Sequence, residues 1–251
     1  ANVIICNTDN DPEKQDQYIH KLIGSGVCGI IITPAITDAP VLKSFEVLKE
    51  KNIPFVFCNR GVPGVRAPRV ISNNYYGAYM AAKHLINLGY RRIAYIAKPL
   101  YYTVSEQRYQ GYLAALHEAG LPIDPEYIFF ENEIRGANSG FESGKYLLQK
   151  TPAPDAILCF NDEIAKGVYF AAESLGLKVG VDVGIVGYDD SDICTSLPVQ
   201  LTSVQYPKYE SGKQAAEILM KMLRGEAVDE NYTVVLHPKL VVRQSCKLAK
   251  D

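Results

Sequence analysis

The 251 residues include no tryptophan, no apolar run of membrane-spanning length and no charged-then-apolar leader. A soluble chain with no membrane partner is therefore expected. Neither sign of charge is in excess: 26 Lys and Arg face 28 Asp and Glu, a net charge of −2. That leaves out the basic footprint of a nucleic-acid surface. No Cys-x-x-Cys pair occurs among Cys6, Cys28, Cys58, Cys159, Cys194 and Cys246, and the first four lie in or beside apolar strand runs. Free thiols of a reducing, cytoplasmic compartment are expected rather than disulfides. His20, His84 and His117 fall within predicted helices and His237 precedes a proline; none stands at metal spacing from Cys, Asp or Glu. There is no phosphate-binding glycine loop and no nucleophile elbow. Gly24-Ser25-Gly26 joins a helix to a strand, the wrong order for phosphate. No catalytic constellation, metal site or cofactor site is expected, although a Ser/His/Asp set assembled only by folding leaves no mark in one sequence.

What is present is a repeated alternation of strand and helix in a chain that is 47% hydrophobic. The clearest unit runs from Ala156 to Asp190. Ala156–Phe160 is an apolar run of strand length, and Asn161 and Asp162 stand at the start of the next helix. Ile164, Val168, Ala171, Ala172 and Leu175 recur at helical spacing up to Gly176. Val183–Tyr188 is the next buried strand, with Asp189 and Asp190 at its carboxyl end. Such ends are where open parallel sheets bind ligands. Upstream, strands are expected at Val3–Cys6, Gly29–Thr33, Pro54–Cys58, Ile93–Ala97 and Ile128–Phe130, and an extended run at Arg69–Ser72. Helices are expected at Glu13–Gly24, Val41–Lys51, Asn73–Leu88, Glu106–Ala119, Ser139–Gln149 and Lys208–Leu223, with closing strands at Val234–Leu236 and Leu240–Val242. So many strand–helix units predict an α/β fold of two Rossmann-like lobes with parallel sheets. The expected lobes are residues 1–98 plus 206–235 and residues 99–205 plus 236–251, the first boundary lying where Ala97-Lys98-Pro99 opens a Tyr-rich loop. A chain that crosses several times makes a hinge able to close on a ligand in the cleft.

Several segments, in order, carry a family resemblance. They are Ser72-Asn73-Asn74-Tyr75-Tyr76-Gly77-Ala78, His84-Leu85-Ile86-Asn87-Leu88-Gly89-Tyr90-Arg91-Arg92-Ile93-Ala94 and Arg108-Tyr109-Gln110-Gly111-Tyr112-Leu113-Ala114-Ala115-Leu116. Phe160-Asn161-Asp162-Glu163-Ile164-Ala165, Val186-Gly187-Tyr188-Asp189-Asp190, Leu201-Thr202-Ser203-Val204 and the close Pro238–Ser245 follow. Together they resemble the effector-binding core of the lactose/galactose repressor (LacI/GalR) family, whose fold is that of the type I periplasmic binding proteins. The resemblance implies that the chain begins one strand and one helix into that fold, with Val3–Cys6 as the family's second strand. Without the mid-sheet first strand, the first lobe would have unpaired strand edges. It also implies that operator DNA is bound only through a helix-turn-helix segment upstream of the residues given.

The resemblance assigns candidate ligand residues. Arg108 matches an arginine at the start of a second-lobe helix; its forked guanidinium could hold two hydroxyls or a carboxylate, while the plain alternative is an exposed helix charge. Asn161 takes the ligand role and Asp162 the helix cap, although either side chain could cap. Asp189 matches the ligand aspartate and is otherwise a turn residue. In the first lobe Asn59 and, more weakly, Thr33 end strands where the family places polar contacts. Tyr206 falls at a crossover. Arg135 aligns with a position that is often aromatic, which leaves the usual stacking surface in question; Tyr101 or Tyr102 could supply a ring. The implied function is the sensing core of a cytoplasmic repressor with a small metabolite effector, most simply a sugar. A homodimer is implied, and Asn73–Leu88 and the early helix with Tyr18 and His20 are its expected faces. An extracytoplasmic sugar-binding protein of a transporter is the alternative; the thiols and the repressor-like ending count against it.

Overall fold

A computed structural model describes residues 2–35, 43–131 and 140–247. In chain order its elements are α1 (Pro12–Gly24), β1 (Ile30–Ile32), α2 (Lys43–Glu50), β2 (Phe55–Asn59), β3 (Arg69–Ser72), α3 (Asn74–Asn87), β4 (Ile93–Ala97), α4 (Thr103–Glu118), β5 (Ile128–Phe130) and α5 (Phe141–Leu148). There follow β6 (Ala156–Cys159), α6 (Asp162–Ser174), β7 (Gly184–Tyr188), a single turn α7 (Ile193–Ser196), β8 (Thr202–Gln205), α8 (Lys208–Leu223), β9 (Thr233–Leu236) and β10 (Lys239–Val241). The chain is mixed α/β with parallel sheets, and it divides into two compact units.

The first unit is Ala1–Ser72 with Pro207–Leu236. Its sheet has the order β1-β2-β3-β9, all parallel. Side chains alternate across a strand, so Phe55 and Phe57 pack with Ile19, Phe45 and Leu48 on one face. Val56 and Val70 pack with Ala215, Ile218 and Leu219 of α8 on the other. Helices on both faces explain why these strands read as continuous apolar runs.

The expected strand Val3–Cys6 is a correction. It lies in neither sheet, and Val3, Ile4 and Ile5 are 84%, 58% and 89% exposed. An apolar run becomes a strand only when a neighbour pairs its N–H and C=O groups and covers a face. Among the described residues no strand does so for Val3–Cys6, and β1 pairs with β2 alone.

The second unit is Asn73–Tyr206 with His237–Asp251. Its sheet has the order β10-β8-β7-β6-β4-β5, parallel except for β10 against β8. Every residue of β4, β6 and β7 is buried. The first boundary therefore differs from the expectation at residue 98. The contacts divide between Ser72 and Asn73, because Ile93–Ala97 pairs with β6 and β5 and so belongs to this sheet. Helix α3 also packs on α4, so closely that a Cβ on Gly111 would lie 2.1 Å from the Tyr75 carbonyl oxygen. The Pro99 loop looked like a boundary in sequence, yet the strand before it is held by partners some 60 residues further on. The other crossings fall after Tyr206 and Leu236, each one residue from the expected position.

Candidate functional site

In a parallel sheet the strand ends on one edge present their following residues together. In the second unit, β4 is followed by Lys98, β5 by Glu131, β6 by Phe160 and Asn161, and β7 by Asp189. Arg108, in the second turn of α4, reaches this edge. It is 5% exposed, so it is not an exposed helix charge. Its Nε donates to Asn74 Oδ1 at 3.0 Å and one terminal nitrogen donates to the Phe160 carbonyl oxygen at 2.5 Å. The other terminal nitrogen lies 3.5 Å from Asp189 Oδ1. The guanidinium carbon sits 3.4 Å from the Tyr188 ring centre and 4.6 Å from that of Phe160. A buried charge needs its hydrogen bonds made and its counter-charge near. Arg108 has both, and the aromatic rings add cation–π attraction.

Asp189 is set by an unusual backbone. Its φ is +106° and that of Asp190 is +47°, the left-handed region that side chains rarely adopt. The turn is held from several sides. Asp189 N–H donates to the Val204 carbonyl at 2.8 Å, and Asp190 N–H to Ser203 Oγ at 3.1 Å. Arg243 lies 2.8 Å from the Asp190 carboxylate, and Gln205 donates to it at 2.9 Å. Asp162, 2% exposed, accepts from Ser191 N–H at 2.8 Å, Ser191 Oγ at 2.9 Å and Ser203 Oγ at 2.6 Å. Its carboxylate fits only because residue 187 is glycine, where a Cβ would come within 2.2 Å of Asp162 Oδ1.

The cap of α6 therefore falls to Asn161 and not, as expected, to Asp162, the Asn161 Oδ1 accepting from Ile164 N–H at 3.0 Å. Asp162 instead braces the turn that carries Asp189. The signal for this was two serines, at 191 and 203, that only folding brings to the carboxylate.

Arg108, Asn161 and Asp189 thus come together at one sheet edge. Of the other candidates, Tyr206 is half-buried just past β8 in the same unit. Asn59 and Thr33 belong to the first unit. Asn59 ends β2 with φ +71°, and Thr33 is exposed just past β1. Arg135 lies outside the described residues. Sequence reasoning missed Lys98 and Glu131, which form an ion pair of 3.0 Å with side chains only 7% and 11% exposed. Glu131 also accepts from Gly140 N–H and Ser143 Oγ, both at 2.8 Å. The available signal was one charged residue directly after each of two apolar strands.

The thiols of this unit do not join the site. Cys159, Cys194 and Cys246 are buried, and burial pushes Cys194 up to about 12 and raises Cys159 and Cys246. Cys246 Sγ sits 3.4 Å from His84 Nε2, and burial lowers the pKa of that imidazole. Among the described residues no group of His, Cys, Asp and Glu could hold a metal ion, and no helix is long and apolar enough to cross a membrane.

A family profile described as a periplasmic binding protein-like domain matches residues 82–246. A transcriptional repressor named PurR from Actinobacillus pleuropneumoniae is 34% identical over 249 residues, 98% of this chain and 72% of that protein. The chain belongs to the LacI/GalR family. It is an effector-binding core of that family, with its type I periplasmic-binding-protein-like fold. A solved complex of the transcriptional regulator CelR with cellobiose superposes with a TM-score of 0.82 at 30% identity, over 93% of this chain and 70% of that one. A LacI-family regulator from Enterococcus faecium with bound ribose gives 0.82 at 26% identity, over 98% and 88%. The curated LacI/GalR relative is a repressor and not an enzyme, which accords with a ligand-sensing rather than a catalytic core.

Proposed function

We propose that this core senses an uncharged sugar and belongs to a cytoplasmic, homodimeric transcriptional repressor. The observation that carries the reading is the convergence of Arg108, Asn161 and Asp189 on one sheet edge. Asp189 supplies carboxylate acceptors, Arg108 supplies donors along a rigid fork, and the Asn161 amide supplies further donors. Adjacent sugar hydroxyls each donate and accept, so they match a mixed set of this kind. Among the described residues of this edge, Arg108 and Lys98 each already face a carboxylate. An anionic effector would have to displace one, which favours a neutral molecule. The sugars bound by CelR and by the E. faecium regulator support the same class.

Asn59 and Thr33 of the first unit, Tyr206 and Arg135 complete the proposed contacts; these rest on the family match. The effector shifts operator affinity by its differential affinity for two arrangements of the units. DNA is bound through a helix-turn-helix segment outside these residues. Helices α1 and α3 are the proposed dimer faces.

A thermal-shift screen against ribose, arabinose, cellobiose, sugar phosphates and nucleobases tests the reading. At least one neutral sugar is expected to raise the melting temperature. Arg108→Ala and Asp189→Ala should each remove that shift with the fold kept, a loss of about 2–3 kcal/mol or roughly 30- to 150-fold in affinity. Shifts that persist unchanged in both variants discard the site. Stabilisation by sugar phosphates alone replaces the neutral-sugar reading.

A further inference from the structure

Arg108 is surrounded by groups of different origin, and one of them has no place in the ligand reading. We propose that Asn74 is a positioning residue. It sets the plane of the Arg108 guanidinium and ties it to the point where the chain enters the second unit. The inference rests on the reading above only in its claim that Arg108 touches the effector.

Asn74 is the first residue of α3 and is 3% exposed. Its Oδ1 accepts from Arg108 Nε at 3.0 Å. Nε is the one nitrogen of the guanidinium that points back along the side chain. A bond there stops rotation of the plane, whereas bonds at the outer edge can be exchanged for bonds to a ligand. The two faces are occupied by the Tyr188 and Phe160 rings. With Nε and both faces fixed, only the outer edge remains for exchange, and that edge now meets Phe160 O and Asp189.

The support behind Asn74 is rigid. One residue on, the Tyr75 carbonyl oxygen would be 2.1 Å from a Cβ on Gly111, and the Tyr79 nitrogen 2.9 Å from it. Gly111 lies one turn beyond Arg108 on α4, so backbone meets backbone at the base of the arginine. A Cβ on Gly77 would in turn lie 2.4 Å from the hydroxyl of Tyr188, the residue stacked on the guanidinium, and 3.0 Å from Pro238 Cγ. The chain enters this unit twice, at Asn73 and at His237. Asn74 and Pro238 are each the second residue after an entry. The arginine assembly therefore leans on both entry segments within one turn of helix. A ligand that re-engages the outer edge of Arg108 loads the first of those segments through Asn74.

The test uses Asn74→Ala, which removes the acceptor, and Asn74→Asp, which keeps an acceptor at the same reach. The first readout needs no ligand. The Nε–H proton of Arg108 is assigned in a nitrogen-15 spectrum by its loss in Arg108→Lys, and its exchange with water is measured. Slow exchange is expected in the parent and in Asn74→Asp, and exchange at least tenfold faster in Asn74→Ala. Equal protection in all three overturns the proposal. If Asn74→Ala does not fold, Asn74→Ser, one bond shorter, takes its place.

The second readout is affinity by calorimetry for whichever of ribose or cellobiose stabilises the parent. About tenfold weaker binding is expected for Asn74→Ala and less than twofold change for Asn74→Asp. Affinity lost in Arg108→Ala but kept in Asn74→Ala overturns this inference and spares the proposed function. No loss in Arg108→Ala removes the proposed function, and the exchange measurement still decides the role of Asn74.

Discussion

The two units carry the same architecture, but their strand ends are finished differently. At the carboxyl edge of the second sheet, Arg108, Asp162 and Lys98 are buried and Glu131 nearly so, and each meets a polar or charged partner. At the corresponding edge of the first sheet, Thr33 is exposed and Asn59 half-buried. The difference shows where each kind of residue derives its conformation. A buried charge has to bring its partners with it, so the second edge is already shaped before any ligand arrives. The first edge is less enclosed, although Arg60, next to Asn59, donates to the Pro34 carbonyl at 2.6 Å and to Asn10 Oδ1 at 3.1 Å.

Breaking that contrast should be hardest at the buried ion pair. Lys98→Ala removes a cation 3.0 Å from the Glu131 carboxylate in a nearly closed site. A loss of about 3 kcal/mol is expected, because removing one partner of a buried pair strands the other. The double replacement Lys98→Met with Glu131→Leu should recover most of that loss, since a packed apolar pair no longer requires desolvated charges. Urea denaturation of the three variants decides the matter. A double variant as weak as the single one would show that Glu131 matters through Gly140 and Ser143 rather than through Lys98.

The next effect is at Gly187. A methyl there meets Asp162 Oδ1 at 2.2 Å and Leu201 Cδ2 at 2.9 Å. Gly187→Ala must push the carboxylate away from Ser191 and Ser203. It should cost about 1–3 kcal/mol, and it should weaken sugar binding as well because Asp189 is two residues before Ser191. Destabilisation with unchanged affinity would separate the brace from the ligand turn.

Much of the fold was legible in sequence because the buried strands write themselves as short apolar runs. Ile93–Ala97 and Val183–Tyr188 could be seen without coordinates. The first lobe boundary was not, since it depends on which distant strand pairs with β4. Val3–Cys6 shows the converse, an apolar run with no described neighbour to make it a strand. In the site, the family match brought out Arg108 and Asp189, but not what holds them. Asn74 is 34 residues from Arg108, and Ser191 and Ser203 are 29 and 41 from Asp162. Hydrogen bonds over such separations leave no local pattern. Asn161 and Asp162 are adjacent and chemically alike, so only the geometry of α6 tells cap from brace.

Thiol chemistry separates the units in a different way. Burial holds Cys194 up to about 12, so the folded state keeps its proton while an unfolded thiol loses its own near the usual 8.5. The folded value lies above the unfolded one. The stabilising contribution is therefore complete below about pH 8.5 and is lost progressively as pH rises toward 12. In iodoacetamide at neutral pH, Cys28 of the first unit, which is exposed, should react first. Cys159, Cys194 and Cys246 of the second should react only with global unfolding. Mass spectrometry of timed digests reads the order, and early labelling of Cys194 would contradict its burial.

The smallest effect belongs to Asn59. Its φ of +71° suits glycine better than any side chain, although asparagine tolerates the region best of the rest. Asn59→Gly relieves that strain but adds freedom to the unfolded chain, so the two terms oppose. A net change within about 0.5 kcal/mol is expected in urea denaturation. Asn59→Val, which keeps bulk but resists positive φ, should be weaker by about 1–2 kcal/mol. The informative comparison is affinity. If Asn59 is a ligand contact, Asn59→Gly should weaken sugar binding while leaving stability nearly unchanged, the reverse of Lys98→Ala. If affinity follows stability at both positions, the strand end of the first unit is a turn and no more, and the asymmetry between the two edges extends to function.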